Sequence, residues 1–218
     1  LVMHAASYSP ASRAFAVVPA AGRSARMGSP KLLLPWRADG TPVIAAVLDA
    51  WRSAAVERIV VTVHPDDAAL AEVCRRCGAE VVVPAAPPPE MKSSIAAALE
   101  HLRRTAAPRD DDCWLVAPAD LPLLAPATIR RVVAGYDSRR PTVVRPRHAG
   151  RFGHPVLLPW SMAADVSQLP PDAGLNALLG RPDRTEVACD ADCIAADIDT
   201  PAEYAALRDR YLRSRPRD

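Results

Sequence analysis

From residue 14 to the end of the chain, short apolar runs rich in β-branched residues alternate with segments that repeat apolar residues at helical spacing. The runs predict strands at 14–19, 58–63, 79–83, 113–117, 141–146 and 185–189. Between them, helical stripes lie at 43–51, 95–102 and 129–136. Because strands that alternate with helices form parallel βαβ units, we expect a single-domain α/β protein with a doubly wound, mostly parallel sheet.

The two ends of the chain differ in pattern. Residues 1–13 have no periodicity, so we expect a disordered or tag-derived tail before a domain that spans 14–218. Thr200 to Glu203 has the form of a capping box, with Pro201 at the first helical position. This pattern predicts a final helix whose Tyr204, Leu207 and Tyr211 face the core.

Charge and hydropathy exclude two classes of partner. The formal net charge is +2, and Lys and Arg are spread along the whole chain, so we expect no nucleic-acid partner. No stretch approaches the roughly 20 apolar residues that cross a bilayer, and the N-terminal residues lack the apolar segment of a signal peptide. We therefore expect a cytoplasmic protein with a small-molecule substrate.

Cys74 and Cys77 form a C-x-x-C pair. They also continue the apolar stripe that Leu70 and Val73 begin, at i, i+3, i+4 and i+7, and core packing explains this spacing better than zinc or redox chemistry does. The odd number of cysteines, five, also argues against a disulfide framework.

A loop rich in glycine and basic residues follows the first strand directly. Gly22 and Gly28 allow the backbone to approach a ligand closely, while Arg26 and Lys31 supply positive charge, so the loop is suited to phosphates. It matches neither the Walker loop nor the dinucleotide-binding turn. An ordinary basic surface loop is the alternative, but ligands of a doubly wound sheet bind at the carboxyl ends of its strands, where this loop lies.

Asp120 follows the fourth strand in the same way, within the segment PADLP. Magnesium typically takes one or two carboxylates together with substrate phosphates, so Asp120 is a candidate ligand for Mg²⁺. The alternative for this residue is a turn-forming aspartate before Leu121 and Pro122.

Several segments carry a family resemblance. The stretch VVPAAGRSARMGSPKLLLPW (17–36) resembles the signature of the molybdenum-cofactor nucleotidyltransferase family, which has a Rossmann-like fold of the nucleotide-diphospho-sugar transferase type. PPPEMKSSIAAAL (87–99), PADLP (118–122), GRFGHPVLLP (150–159) and DIDTPAEY (197–204) resemble later family segments in the same order. The Ala-Ala-Gly start and the Gly-His-Pro segment are more similar to the molybdopterin cytidylyltransferase branch than to the guanylyltransferase branch.

The resemblance implies a Mg²⁺-dependent enzyme in which the phosphate of molybdopterin attacks the α-phosphorus of CTP and releases pyrophosphate. It implies that Arg26 and Lys31 contact the α-phosphate and the pyrophosphate, and that Asp120 holds the metal ion. A molybdoenzyme that receives the product is the further partner it suggests. The implied nucleotide-binding residues are Ala20, Ala21, Gly22, Arg23, Ser24 and Gly28.

Two later segments have roles that the sequence leaves open. Ser93 and Ser94 stand at a predicted helix start, where they either cap the helix or recognise the base. Asp199, and less so Asp197, either completes the metal site or supports the N-terminus of the last helix.

The acceptor side is equally open. His154 either contacts the pterin or fixes a turn, and Arg145, Arg147 and Arg151 either bind the acceptor phosphate or form a solvated basic edge. Asn176 is a candidate acceptor contact, although it stands where relatives carry an arginine.

Three other functions remain compatible with the sequence. One is a GTP-dependent guanylyltransferase of the same pathway, and another is a cytidylyltransferase that acts on a sugar or isoprenoid phosphate. The third is a non-catalytic protein that binds or delivers the cofactor, because a fold by itself does not determine an activity.

Overall fold

The computed structural model describes residues 12–54, 56–180, 183–190 and 197–214. Residues 1–11, most of the predicted tail, lie outside these ranges. Arg13 is fixed to the domain, because its backbone N–H donates to Asp112 Oδ1 at 2.8 Å and its guanidinium donates to Asp112 Oδ2 at 2.6 Å. The folded domain therefore includes Arg13, one residue before the boundary that the sequence suggests.

Strands and helices alternate through most of the described residues. The strands are β1 (Ala14–Ala20), β2 (Arg58–Val63), β3 (Glu80–Val82), β4 (Cys113–Val116), β5 (Val143–His148), β6 (Arg151–Phe152), β7 (Val156–Pro159) and β8 (Arg184–Ala188). The helices are α1 (Val43–Arg52), α2 (Ala68–Arg76), α3 (Met91–Thr105), α4 (Pro126–Ala134), α5 (Ala163–Gln168), α6 (Asn176–Leu179) and α7 (Pro201–Arg213). Short 3₁₀ turns lie at Ala25–Met27, Lys31–Leu33 and Trp160–Met162.

The strands form one mixed, mostly parallel sheet in the order β3-β2-β1-β4-β7-β5, with β6 and β8 both paired to β5. The strands β3, β2, β1 and β4 are mutually parallel. β7 lies antiparallel between β4 and β5, so β5 and its partner β8 again run in the direction of β4. The carboxyl ends of β1, β4 and β5 therefore meet at one edge of the sheet.

The sequence patterns predict six of the eight described strands and miss β6 and β7. The run VLLP of β7 has only three residues between Pro155 and Pro159, and periodicity cannot separate so short a run from a loop. In the structure β7 is fully buried and separates β4 from β5. The predicted α/β class and mostly parallel sheet are confirmed.

Helices cover both faces of the sheet, as a doubly wound sheet requires. Alternate residues of β1 point to opposite faces, with Val18 in the core under α1 and α4, and Val17 in the core under α3. The final helix α7 packs on the first of these cores through its half-buried Tyr204, Leu207 and Tyr211, as predicted.

Cys74 lies in α2 with no exposed surface, and burial raises the pKa of its thiol to about 12. Cys74 and Cys77 are free thiols, so core packing is confirmed for the C-x-x-C pair. Among the described residues, no helix is both long and apolar enough to cross a membrane.

Candidate active site

A cleft of about 380 Å³ opens at the carboxyl edge of the sheet. Its walls come from the loop after β1, the segment before α3, the turn after β4 and the residue two before α7. The residues that line it are Pro19, Ala20, Ala21, Gly22, Ser24, Arg26, Lys31, Leu32, Pro88, Pro89, Glu90, Met91, Ser94, Pro118, Ala119, Asp120 and Asp199. Ala20, Ala21, Gly22 and Ser24 thus lie where the sequence resemblance expects the nucleotide.

The loop after β1 is anchored at two points. Met27 and Leu32 are buried in the core, and each belongs to a short 3₁₀ turn. On either side of the first of these turns the backbone is left-handed, at Ser24 (φ 51°) and at Gly28 (φ 64°). A positive φ is uncommon for a serine, and such conformations cluster where a loop is shaped for a ligand.

Lys31 brings together two carboxylates from distant parts of the chain. Its Nζ lies 2.5 Å from Asp120 Oδ2 and 3.4 Å from Asp199 Oδ1, and it also donates to the carbonyl oxygen of Ile198 at 2.7 Å. The Lys31 and Asp120 side chains are largely buried, at 16% and 15% exposure. The ammonium therefore offsets the repulsion that two neighbouring carboxylates would otherwise have.

Asp199 is placed by the chain on either side of it. Ile198 is fully buried, and its N–H donates to the carbonyl oxygen of Asp120 at 3.2 Å. The N–H of Asp199 donates to the carboxylate of Glu203 at 3.1 Å, while Thr200 caps α7 by accepting from the N–H of Glu203. The threonine half of the predicted capping box therefore forms, while Glu203 accepts from the N–H of Asp199 instead of that of Thr200 and so orients the backbone of Asp199.

Asp120 and Asp199 fit a divalent cation. Both accept from the same ammonium, so their carboxylates face a shared point, and Asp120 Oδ1 is buried without a hydrogen-bond partner. Among the described residues, no group of three or more His, Cys, Asp or Glu side chains gathers as a metal cage. Two carboxylates with substrate phosphates are the usual ligand set of Mg²⁺.

Arg26 lies at the mouth of this cluster. Its Nη2 is 2.9 Å from Asp199 Oδ1, and its side chain is 71% exposed. The structure therefore brings Arg26, Lys31, Asp120 and Asp199 together at one end of the cleft.

Ser93 and Ser94 lie inside α3, because the helix begins at Met91 and its N-cap is Glu90, whose side chain makes no capping hydrogen bond. The alternative that these serines cap the helix is therefore wrong. Ser94 is buried and lines the cleft, and its carbonyl accepts from the hydroxyl of Thr62 at 2.8 Å. Ser93 does not line this cleft.

Arg23 and Gly28 face a second, more open cleft of about 450 Å³ on the other side of the loop. There Arg23 lies 3.3 Å from Asp66 Oδ2, and its Nε lies 3.3 Å from His64 Nε2. Both predicted nucleotide contacts therefore line this second cleft and not the one that holds the carboxylate pair.

The predicted acceptor residues lie outside the first cleft. The Nδ1 of His154 is 3.4 Å from the carbonyl oxygen of Val116, at the end of β4, and burial lowers the pKa of its imidazole. Arg151 is exposed on β6, and Asn176 is exposed at the start of α6. The charge of Asp120 acts on the imidazole of His154.

One residue near the cleft escaped the sequence interpretation. Lys92 donates to the carbonyl oxygens of Pro170, Pro171 and Ala173 at 2.6, 2.6 and 3.0 Å, and it pairs with Glu90 at 3.3 Å. It ties the start of α3, which lines the cleft, to the loop between α5 and α6. A lysine beside a serine pair carries no local signal of such a long-range contact.

Comparison with known proteins places the chain among nucleotidyltransferases. The model of the MobA-like NTP transferase domain matches residues 16–186. The chain is 25% identical over 195 residues to the molybdenum cofactor cytidylyltransferase of Escherichia coli K12, covering 89% of this chain and 95% of that protein. It is 32% identical over 200 residues to the phosphoenolpyruvate guanylyltransferase of Rubrobacter xylanophilus, covering 88% and 92%.

The Rv0371c protein of Mycobacterium tuberculosis H37Rv has a similar structure. One crystal structure superposes with a TM-score of 0.75 at 30% identity, covering 94% of this chain and 100% of that one. A second crystal structure of that protein, in complex with manganese, superposes with a TM-score of 0.71 at 29% identity. A divalent metal therefore binds to at least one protein of this fold and similar sequence.

Proposed function

Because the chain belongs to the MobA-like NTP transferase family and is a nucleotidyltransferase, we propose that it transfers CMP from CTP to molybdopterin in a Mg²⁺-dependent reaction. The observation that carries the proposal is the convergence of Lys31, Asp120 and Asp199 at one end of a cleft lined by the loop after β1. The similarity to the Escherichia coli cytidylyltransferase supports the choice of CTP and molybdopterin.

The proposed reaction forms one P–O bond and breaks another. A phosphate oxygen of the acceptor attacks the α-phosphorus of the nucleotide, and the bond to the β-phosphate breaks, so pyrophosphate leaves. The nucleophile is already anionic near neutral pH, so the task of the protein is to align the reactants and to neutralise their repulsion.

The chain offers a cation for each part of this task. Lys31, largely buried at the base of the cleft, would contact the phosphates near the reacting phosphorus, and the exposed Arg26 would hold the leaving pyrophosphate at the mouth. Asp120 and Asp199 would hold Mg²⁺, which when bound neutralises charge on the phosphate oxygens. Ala20, Ala21, Gly22 and Ser94 would form the wall for base and ribose.

The test is a pyrophosphate-release assay with each of the four nucleoside triphosphates, Mg²⁺ and molybdopterin. We expect release with CTP and molybdopterin together. Asp120→Asn should reduce turnover by at least a thousandfold. The control is Asp137→Asn, which replaces an exposed carboxylate in the turn after α4 and should leave turnover unchanged. Full turnover in Asp120→Asn would overturn the proposed metal site.

A second candidate function is guanylyl transfer to phosphoenolpyruvate, which the 32% identity to the Rubrobacter xylanophilus enzyme favours. The same assay separates the two, because release with GTP and phosphoenolpyruvate but not with CTP and molybdopterin supports this second function. A carrier protein would instead be stabilised by molybdopterin in a thermal-shift measurement and release no pyrophosphate with any pair of substrates.

A further inference from the structure

Three arginines surround the ring of Phe152 at the edge of the sheet beyond β7. The guanidinium carbons of Arg145, Arg184 and Arg147 lie 4.1, 5.1 and 5.6 Å from the ring centroid. Strand pairing brings these side chains together. β5, which carries Arg145 and Arg147, pairs with β6, which carries Phe152, and with β8, which carries Arg184. All four side chains therefore occupy fixed positions on neighbouring strands.

Arg145 differs from the other two arginines in its partners. Arg147 and Arg184 both donate to the carboxylate of Glu186, at 2.7 and 3.2 Å. The Nε of Arg145 is buried without a hydrogen-bond partner, and its guanidinium makes no ion pair among the residues that the structure describes. Stacking on a ring engages the face of a guanidinium and leaves the N–H donors along its edge free.

The surroundings of Arg145 destabilise its positive charge. Burial and the neighbouring charge of Arg184 lower the pKa of Arg145, and the carboxylate of Glu186 offsets this only in part. A half-buried guanidinium beside a like charge, with an unpaired donor, is stabilised when an anion binds to it. Surface arginines that only cover apolar area do not need to keep a buried donor unpaired.

The strand order sets where this cation lies relative to the proposed nucleotide site. Along the carboxyl edge, the loop after β1 comes first, then Asp120 after β4, then His154 before β7, then Arg145 on β5. The charges of Asp120 and Arg145 both act on the imidazole of His154, which contacts the end of β4. Arg145 therefore lies on the side of Asp120 opposite the nucleotide loop.

We infer that Arg145, stacked on Phe152 beside Arg184, binds a phosphate monoester group of the acceptor. The inference rests on the proposed transfer reaction, and it assigns the acceptor to the sheet edge between His154 and β8. Paired N–H donors on one edge of a guanidinium match two oxygens of a phosphate, which explains an arginine rather than a lysine here.

The kinetic test compares Arg145→Met with Arg147→Met, which removes an exposed arginine near the same ring. In Arg145→Met we expect the KM of the acceptor to rise at least tenfold, while the KM of the nucleotide and the nucleotide-induced thermal shift stay unchanged. Arg147→Met should match the wild type, and Arg145→Lys should recover part of the loss. An unchanged acceptor KM in Arg145→Met, or an equal rise in the KM of the nucleotide, would overturn the inference.

A binding test remains informative if no transfer activity is found. Inorganic phosphate is titrated calorimetrically into the wild type, Arg145→Met, Arg147→Met and Lys31→Met, with acetate as the carboxylate comparison. We expect Arg145→Met to remove a phosphate-binding event that Lys31→Met and Arg147→Met retain, with weaker binding of acetate to the wild type. Phosphate binding with the same stoichiometry and affinity in Arg145→Met as in the wild type, or undetectable binding in the wild type, would contradict the assignment whatever the nucleotide reaction proves to be.

Discussion

Lys31 joins the motif after β1 to both aspartates of the cleft, Asp120 and Asp199. Its ammonium is largely buried between two carboxylates, and Arg26 adds a second positive charge beside Asp199, so charge in this cluster is balanced before any substrate binds. Preorganised charge of this kind favours catalysis because little reorganisation is needed when the phosphates arrive. At the residue scale, the geometry of the site depends on these few ionic contacts, and the rest of the loop after β1 contributes less to it.

His154 makes stability depend on pH. Burial lowers the pKa of its imidazole, so the unfolded chain binds the proton more tightly than the folded one. Stability is therefore constant above the unfolded pKa of about 6.5 and falls as the pH drops below it, by up to about 1.4 kcal/mol per pH unit until the folded pKa is reached. We expect His154→Gln to flatten this loss between pH 7.5 and pH 5 in urea unfolding. Parallel curves for variant and wild type would contradict it.

At the scale of the element, α7 is both a structural cover and the support of Asp199. Trp36 packs against Tyr204 and Tyr211, with ring centroids 6.5 and 5.1 Å apart, and the hydroxyl of Tyr204 donates to the carbonyl oxygen of Pro35. These contacts hold the start of α7 against the loop after β1. The position of Asp199 in the cleft therefore follows from the packing of a helix that begins two residues later.

Lys92 gives the loop between α5 and α6 its position. Its ammonium uses its three donors on the carbonyls of Pro170, Pro171 and Ala173. Lys92→Met should leave the oxygens of Pro171 and Ala173 without this donor, while that of Pro170 still accepts from the N–H of Ala173. We expect hydrogen exchange of the amides in residues 172–178 to become at least tenfold faster. Arg104→Met, which removes an exposed cation of the same helix, should leave this exchange unchanged.

At Gly135 the end of α4 packs closely against the sheet. A Cβ built on it would lie 2.9 Å from Val187 Cγ1 and 3.0 Å from Val144 Cγ1, and neither short side chain can move far in the core. We expect Gly135→Ala to lower the free energy of unfolding by about 1–3 kcal/mol in urea denaturation. Gly174→Ala is the matched control, because its Cβ would meet nothing within 4 Å and the change should be neutral or slightly stabilising.

At the scale of the whole molecule, Asp112 connects segments that are far apart in the chain. Its carboxylate accepts from Arg13 and Arg109, and its carbonyl accepts from the N–H of Trp160 and the hydroxyl of Tyr136. The side chain has no exposed surface. Burial by itself raises the pKa of Asp112, but the hydrogen bonds from Arg13 and Arg109 outweigh it and hold the pKa below its ordinary value.

This network predicts an acid-sensitive fold. Because the folded pKa of Asp112 is lowered, its stabilisation is present above the unfolded pKa of about 3.9 and is lost as the pH falls below it. We expect Asp112→Ala to lower the free energy of unfolding at pH 7 by about 3 kcal/mol, since it leaves buried donors unpaired. The control is Asp39→Asn, which replaces an exposed carboxylate and should change the free energy of unfolding far less. Urea unfolding from pH 3 to pH 7 measures both, and equal effects would contradict the prediction.

The sequence by itself determined the α/β class, most of the strands, the packing role of the cysteine pair and the segments in which chemistry was expected. These features follow from local rules, because the periods of strand and helix and the freedom of glycine are set by the backbone of a few consecutive residues. For the same reason, the loop with Lys31 and the turn with Asp120 were recognisable as separate motifs.

Only the tertiary structure decided which of these motifs meet. The insertion of β7 between β4 and β5 separates Arg145 from Asp120, the docking of α7 brings Asp199 to Lys31, and the start of α3 at Met91 moves the serine pair into the helix. Such contacts join residues that are remote in sequence, and they depend on strand order and helix packing. No pattern within a single segment predicts these contacts, because the free energy that selects one arrangement comes from packing of the whole core.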